Sequence, residues 1–227
     1  MRRLVVLAVL ALVATQSPAA AAADWVAQAQ ARLNHLGCHA GTSDGQLDRQ
    51  TRSAVVRFQS RSGIKQTAHL DERTRRLLGA DGAPRCDVRP VPSRSGTGRR
   101  IVVSQGQNWV WLVGPKGGIV DQGPMVDNPA VLHRGTDATG SYCGRAARIR
   151  LNQDASGSVW LDNFVRFAPC GIGFHRIPRA KATGRQIHAD WVLGTDMARS
   201  HGCIRLGREL SQRVWSFTIR RTPVHVV

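Results

Sequence analysis

Residues 198–206 read ARSHGCIRL and set a histidine, a glycine and a cysteine in consecutive positions of a chain with five cysteines. Cys203 can be a disulfide partner, a metal ligand or a nucleophile, and each reading asks for a different fold. A third disulfide needs Cys143 or Cys170 left over for it. A zinc site would draw on His201, Cys203 and His175, but C-x-x-C and H-x-x-x-H spacings are absent, and two ligands one residue apart fit one tetrahedron awkwardly. A nucleophile needs a base or a positive neighbour, N–H donors for an oxyanion, and access to substrate. The stretch offers all three. In an extended segment His201, Cys203 and Arg205 project to one side, Gly202 allows a tight turn and close approach, and the backbone N–H groups around Cys203 can meet a developing oxyanion.

A nucleophilic cysteine wants a second histidine to carry the proton. His175, at the end of the strand-like GIGFH, is the best placed, because a β scaffold would fix its position. His188 stands in a polar loop and His133 beside Arg134. Outward from these residues the texture is β from about residue 100. RIVVS, NWVWLV, IVDQGPMV, ARIRL, SVWLDNFVRF and GIGFH are short β-branched or aromatic runs between turn residues. A helix over 208–216 would bury Leu210, Val214 and Trp215, and TPVHVV closes with a strand. Trp109 and Trp111 read as packing residues. Asp127, Asp137 and Asp154 read as turn residues, without the paired-carboxylate arrangement of glycoside hydrolysis.

The chain has 227 residues and a formal charge of +17, with arginine far outnumbering lysine. Such a balance reflects either a GC-rich genome or attraction to a polyanion. The start, MRRLVVLAVLALVATQSPAAAAADW, has the basic, apolar and small-residue regions of a secretory signal peptide, so residues 1–23 are excluded from the fold. The apolar run is too short for a comfortable membrane span and no second one follows, so no stable span is expected after its removal. An exported basic protein meets wall carboxylates and phosphates before nucleic acid, and no nucleic-acid partner is expected. Export also permits disulfides. With Cys203 left odd, Cys38, Cys86, Cys143 and Cys170 allow three pairings, and chain order favours Cys38–Cys86 with Cys143–Cys170.

Residues 24–80 read as a small helical unit. Trp25, Val26, Ala29, Leu33 and Leu36 share a helical stripe that ends at Gly37. Asp48 stands at an N-cap position before Ala54, Val55 and Phe58. LDRQTR at 47–52 returns as LDERTR at 70–75, a short internal duplication. Residues 81–99, rich in Pro, Gly, Ser and Arg, read as a linker, with Cys86 stapling its start back onto the helical unit.

Two resemblances emerge. VAQAQARLNHLGCHAGTSDGQLDRQTRSAVVRFQSRSG at 26–63, followed by LDERTRRLL at 70–78, resembles a peptidoglycan-binding domain of the three-helix, twofold-repeat type, except that KQTAHL replaces the second DG-turn. FHRIP at 174–178, LG at 193–194 and SHGCIRL at 200–206 resemble the catalytic core of the YkuD-like L,D-transpeptidases over residues 100–227. Two departures are Arg176 after the first histidine, where many relatives have Gly or Ser, and TDATGSY at 136–142, which lacks a proline common there.

The resemblance implies an α+β two-domain protein, a three-helix module followed by a β-sandwich catalytic domain. It implies Cys203 as nucleophile and His175 as general base and acid. His201 and Gly202 would shape the turn and oxyanion site, and Ser200 and Arg205 would position substrate or loop. The implied partners are peptidoglycan stem peptides and glycan, with no cofactor. The implied reaction joins the third residues of two stems with loss of D-alanine, or hydrolyses the same bond if water replaces the acceptor amine. The rival from another class is a wall-binding protein with an inactive scaffold, which Arg176 and the missing proline would favour.

Overall fold

Glutamine–threonine pairs organise the N-terminal body twice over. The computed structural model describes residues 18–168 and 171–227. Helices α1 (Pro18–His35), α2 (Arg49–Arg61) and α3 (Glu72–Leu78) come first. Asp48 accepts the Thr51 N–H at 2.7 Å to cap α2, and Asp71 accepts the Thr74 N–H at 2.8 Å to cap α3. Behind each cap lies a buried glutamine. Gln30 Nε2 donates to Thr51 Oγ1 and Gln59 Nε2 to Thr74 Oγ1, both at 2.9 Å. Their carbonyl oxygens accept the Gly45 and Thr67 N–H groups, both at 2.8 Å. The duplicated LDRQTR and LDERTR are therefore one hydrogen-bonding unit used twice. In the second copy Ala68 takes φ 60°, where the first has Gly45 at φ 78°; the alanine pays about 1 kcal/mol for that conformation.

Ala29, Leu33, Leu36, Ala54, Val55, Phe58, Leu70 and Leu78 fill the core of this body. Cys38 and Cys86 are joined in a disulfide across 48 residues, the pairing expected from chain order. Cys143 is also disulfide-bonded, while its expected partner Cys170 lies outside the described residues, as do residues 1–17 of the expected leader. Residues 18–23 belong to α1. No described helix is long and apolar enough to cross a membrane.

Within residues 81–99, Cys86 and Arg89 are buried where the two bodies meet. Arg89 is fully buried: Nε donates to Cys86 O at 2.9 Å, Nη1 to Gln107 O at 2.8 Å, and its guanidinium lies 4.1 Å from the Trp109 ring centre. Trp111 Nε1 donates to Arg89 O at 2.9 Å. Burial and the like charges of Arg61 and Arg57 push the Arg89 pKa down to about 9. The composition of a linker thus conceals a strap held by an arginine.

The rest is a sheet with one late helix. Its strands are β1 (Arg100–Ser104), β2 (Trp109–Val113), β3 (Ile119–Val126), β4 (Gly135–Ala138), β5 (Arg148–Gln153), β6 (Val159–Arg166), β7 (Gly173–Arg176), β8 (Arg179–Ala180), β9 (Ile204–Leu206) and β10 (Pro223–Val226). They run β4-β10-β1-β2-β3-β9-β7-β6-β5, with β8 attached to β6. The β1–β10 and β7–β9 pairs are parallel and the others antiparallel. β3 joins the two halves, pairing with β2 along most of its length and with β9 at Met125 and Val126.

The main core gathers side chains from both halves: Ile101, Val103, Val110 and Leu112 from one, Val165, Phe174, Ile204 and Leu206 from the other. Helix α4 (Arg208–Phe217) adds Leu210 and Val214, with Trp215 half-buried. Each fully buried large aliphatic or aromatic side chain contributes about 1.5–3 kcal/mol, which fixes which face of β6, β7 and β9 points inward.

Candidate active site

The inward set decides the outward one. Because side chains alternate along a strand, burying Val165, Phe174, Ile204 and Leu206 turns Phe164, Arg166, His175 and Arg205 to the opposite face. β7 and β9 pair in the register Phe174↔Ile204, His175↔Arg205 and Arg176↔Leu206. Carried back one residue, that register sets Cys203 beside Gly173. Cys203 and His175 therefore share a face as diagonal neighbours. Both line a cleft of about 670 Å³ with Phe164, Arg166, Ser200, His201, Arg205 and Arg145. A larger space of about 1000 Å³ lies between the helical and sheet bodies, lined by His39, Gln50, Asp121, Trp191 and Arg213 among others, and contains neither Cys203 nor His175.

His175 is 3% exposed. Its Nδ1 lies 2.5 Å from the carbonyl oxygen of Arg176, so that nitrogen carries the proton and donates it, leaving Nε2 as the acceptor. The Phe164 ring stacks on the imidazole at a centroid distance of 6.3 Å. The group that orients the imidazole is thus the backbone of the very residue, Arg176, that departs from the family pattern. A carbonyl does this whatever the side chain. The Arg176 side chain points elsewhere, 3.7 Å from Asp162.

Burial pushes the His175 pKa down to about 4, with the charge of Arg205 acting in the same direction and the Arg176 carbonyl and Asp162 opposing. Unfolded, the side chain titrates near 6.5. Between those values the unfolded chain binds more protons than the folded one, so stability is full above about pH 6.5 and is lost as pH falls towards 4. The loss amounts to about 3 kcal/mol. Denaturant midpoints across that range should fall in the wild type and fall less in His175→Gln; parallel curves would show that His175 is not the group concerned.

Cys203 is a free, half-buried thiol whose Sγ–H donates to Gly171 O at 3.5 Å. Burial pushes its pKa up, while a backbone hydrogen bond from Gly173 and the charges of Arg205 and Arg166 pull it down. At neutral pH the pair is a thiol beside a neutral imidazole, so the proton must move during attack.

Ser200 and Gly202 build the turn before Cys203. The Gly202 N–H donates to Ser200 Oγ at 2.9 Å, the Ser200 N–H to Asp127 O at 3.1 Å, and Asn128 Nδ2 to Ser200 O at 2.9 Å. Gly202 has φ +126°, and a Cβ there would meet Val131 Cγ1 at 2.8 Å, so only glycine fits. The Gly202 N–H is thus engaged by the Ser200 hydroxyl, which holds the turn before Cys203. His201 is exposed at the cleft rim. Arg205 is buried, and its Nη1 donates to Arg199 O at 3.3 Å. His188 and His133 do not line the cleft. Arg145, Phe164, Arg166 and Gly173 were not singled out from sequence. The period-2 spacing of Phe164 and Arg166 in NFVRF, an arginine on one face of an apolar strand, is the signal that could have found two of them.

Comparison with known proteins agrees with this architecture. The L,D-transpeptidase catalytic domain model matches residues 96–226, more than half of the chain, and the chain belongs to that family. A peptidoglycan binding domain model matches residues 23–78. The chain thus joins a peptidoglycan binding domain to an L,D-transpeptidase catalytic domain in an α+β two-domain layout. Among solved structures, the L,D-transpeptidase of Xylanimonas cellulosilytica is 19% identical, with 89% of this chain and 93% of that chain covered and a TM-score of 0.51. The L,D-transpeptidase of Stackebrandtia nassauensis is 19% identical, with 90% and 91% covered and a TM-score of 0.45. At these identities the first of these likenesses speaks for the fold and the second adds no argument. No curated protein matches by sequence.

Proposed function

We propose that the protein is exported and acts in the wall as a cysteine-dependent L,D-transpeptidase that forms 3→3 cross-links. Residues 24–80 hold peptidoglycan, 81–99 strap the bodies together, and 100–227 carry the chemistry. The observation that carries this reading is the placement of a free Cys203 and a buried, singly oriented His175 on one face of one cleft. Cys203 Sγ attacks the carbonyl before the terminal D-alanine of a tetrapeptide stem as its proton passes to His175 Nε2. The C–N bond breaks, the proton goes to the departing D-alanine amine, and a thioester remains. The amine at the third residue of a second stem then attacks that carbonyl, gives a proton to His175, and displaces the thiolate, which is reprotonated from the imidazolium. Arg145, Arg166 and Arg205 make the cleft cationic and suit it to the stem carboxylates.

Incubation of disaccharide-tetrapeptide with residues 24–227, followed by mass spectrometry, tests the proposal. Release of D-alanine with a 3→3 linked dimer is expected, and Cys203→Ala should abolish it. A tripeptide without dimer would make the protein an L,D-carboxypeptidase. Unchanged substrate would leave a wall-binding protein.

A further inference from the structure

Arg166 closes β6 directly opposite Gly173, and the parallel register puts Cys203 on the far side of that same glycine. The three positions form one row across three strands on the cleft face. The middle position has no side chain: a Cβ on Gly173 would stand 2.6 Å from Val165 O and 2.7 Å from Phe164 Cζ. The rim of the Phe164 ring occupies the gap, and the Arg166 guanidinium lies 5.0 Å from that ring's centre. Arg166 is 2% exposed and its Nε donates to Ala146 O at 3.2 Å, yet its Nη1 is buried without a hydrogen-bond partner and no carboxylate pairs with it among the described residues. A buried cation with an unsatisfied donor is costly to keep unless a negative charge arises nearby.

We infer that Arg166 is a positioning residue for the nucleophile: its guanidinium, laid on Phe164 across the gap at Gly173, offsets the negative charge that forms on Cys203 Sγ as the thiol loses its proton. The inference rests on the reading of Cys203 as the nucleophile. Burial and the like charge of Arg145 push the Arg166 pKa down against the pull of Cys203, and the charge of Arg166 in turn pulls the Cys203 thiol down against its burial. The other titratable or charged groups lining the cleft are His175 from β7, Arg205 from β9, His201 from the preceding turn, Arg145 before β5 and Asp154 after it. Asp154 is tied to Ser156 and Ser158 in its own turn. Arg205, like Arg166, pulls the thiol pKa down through its charge.

The test is the pH profile of Cys203 alkylation by iodoacetamide, read by intact mass, beside D-alanine release. Arg166→Gln should move the alkylation midpoint up by about half to one pH unit and slow alkylation at pH 7 by about three- to tenfold, while Arg166→Lys keeps the midpoint near that of the wild type. An unchanged midpoint in a glutamine variant with wild-type melting overturns the inference. If that variant does not fold, the wild type decides: the Arg166 Nε–H resonance should shift as the thiol titrates and stay fixed in Cys203→Ser, and a resonance indifferent to the thiol overturns the inference. A wild type that alkylates normally but leaves the stem untouched would remove the transpeptidase reading, and the midpoint would still test Arg166.

Discussion

Replacing His175 with glutamine is expected to lower D-alanine release by on the order of 10³–10⁴-fold while leaving the chain folded above pH 7. Glutamine can keep a donor towards the Arg176 carbonyl, as the imidazole Nδ1 does, but it has no nitrogen that can take the Cys203 proton. The thiol is pushed up by burial, so without a base the nucleophile is scarce at neutral pH. Alkylation of the variant at pH 9 should still reach Cys203, which separates loss of the base from loss of the nucleophile. Retention of activity within tenfold would hand the proton transfer to His201, the other histidine at the cleft.

Replacing Arg57 with alanine should destabilise the protein by about 3–5 kcal/mol. Arg57 sits on α2 and is 6% exposed. Its Nη1 donates to Cys38 O at 2.9 Å, Nε to Leu193 O at 2.8 Å and Nη2 to Trp191 O at 2.9 Å, the last also accepting the Ser53 hydroxyl. Burial pushes its pKa down to about 10, against the pull of Asp190. Removing the fork leaves the Leu193 and Cys38 carbonyls unsatisfied and Trp191 O with the Ser53 hydroxyl alone. Urea unfolding should show an earlier midpoint, with the helical and sheet bodies separating into two transitions. Lysine should restore little, since one ammonium cannot span three carbonyls. A loss below about 1 kcal/mol would mean that the bodies are joined chiefly by the strap.

Local chemistry was legible in the sequence. Asp48 caps α2 as its position before an apolar stripe implied, LDRQTR and LDERTR fold alike, the strands from RIVVS to GIGFH lie where β-branched runs were read, and SHGCIRL sits beside His175. What was not legible depends on distant partners. Arg57 stands among VVRFQ like any solvent-facing arginine, and two of the three carbonyls that hold it lie more than 130 residues away. Residues 81–99 hold few apolar side chains, so composition reads them as open chain; they are held by arginine and backbone oxygens, which periodicity does not register. The insertion of β9 between β3 and β7, which sets Cys203 beside Gly173, is likewise a long-range pairing. The role of Arg176 was hidden for another reason: its backbone acts, and the backbone has no letter.

On the proposed function, the junction built by Arg57, Arg89 and the 3-10 turn at Asp190–Val192 would also set how the two bodies search the wall. A flexible tether would let the catalytic cleft sample many stems around one anchoring point, at an effective concentration set by tether length. A fixed mounting gives a single offset between anchoring point and cleft. Stems at that offset are presented in register and turned over together, whereas those elsewhere require release and rebinding. The spacing of cross-links along a glycan strand would then carry the dimensions of the protein itself.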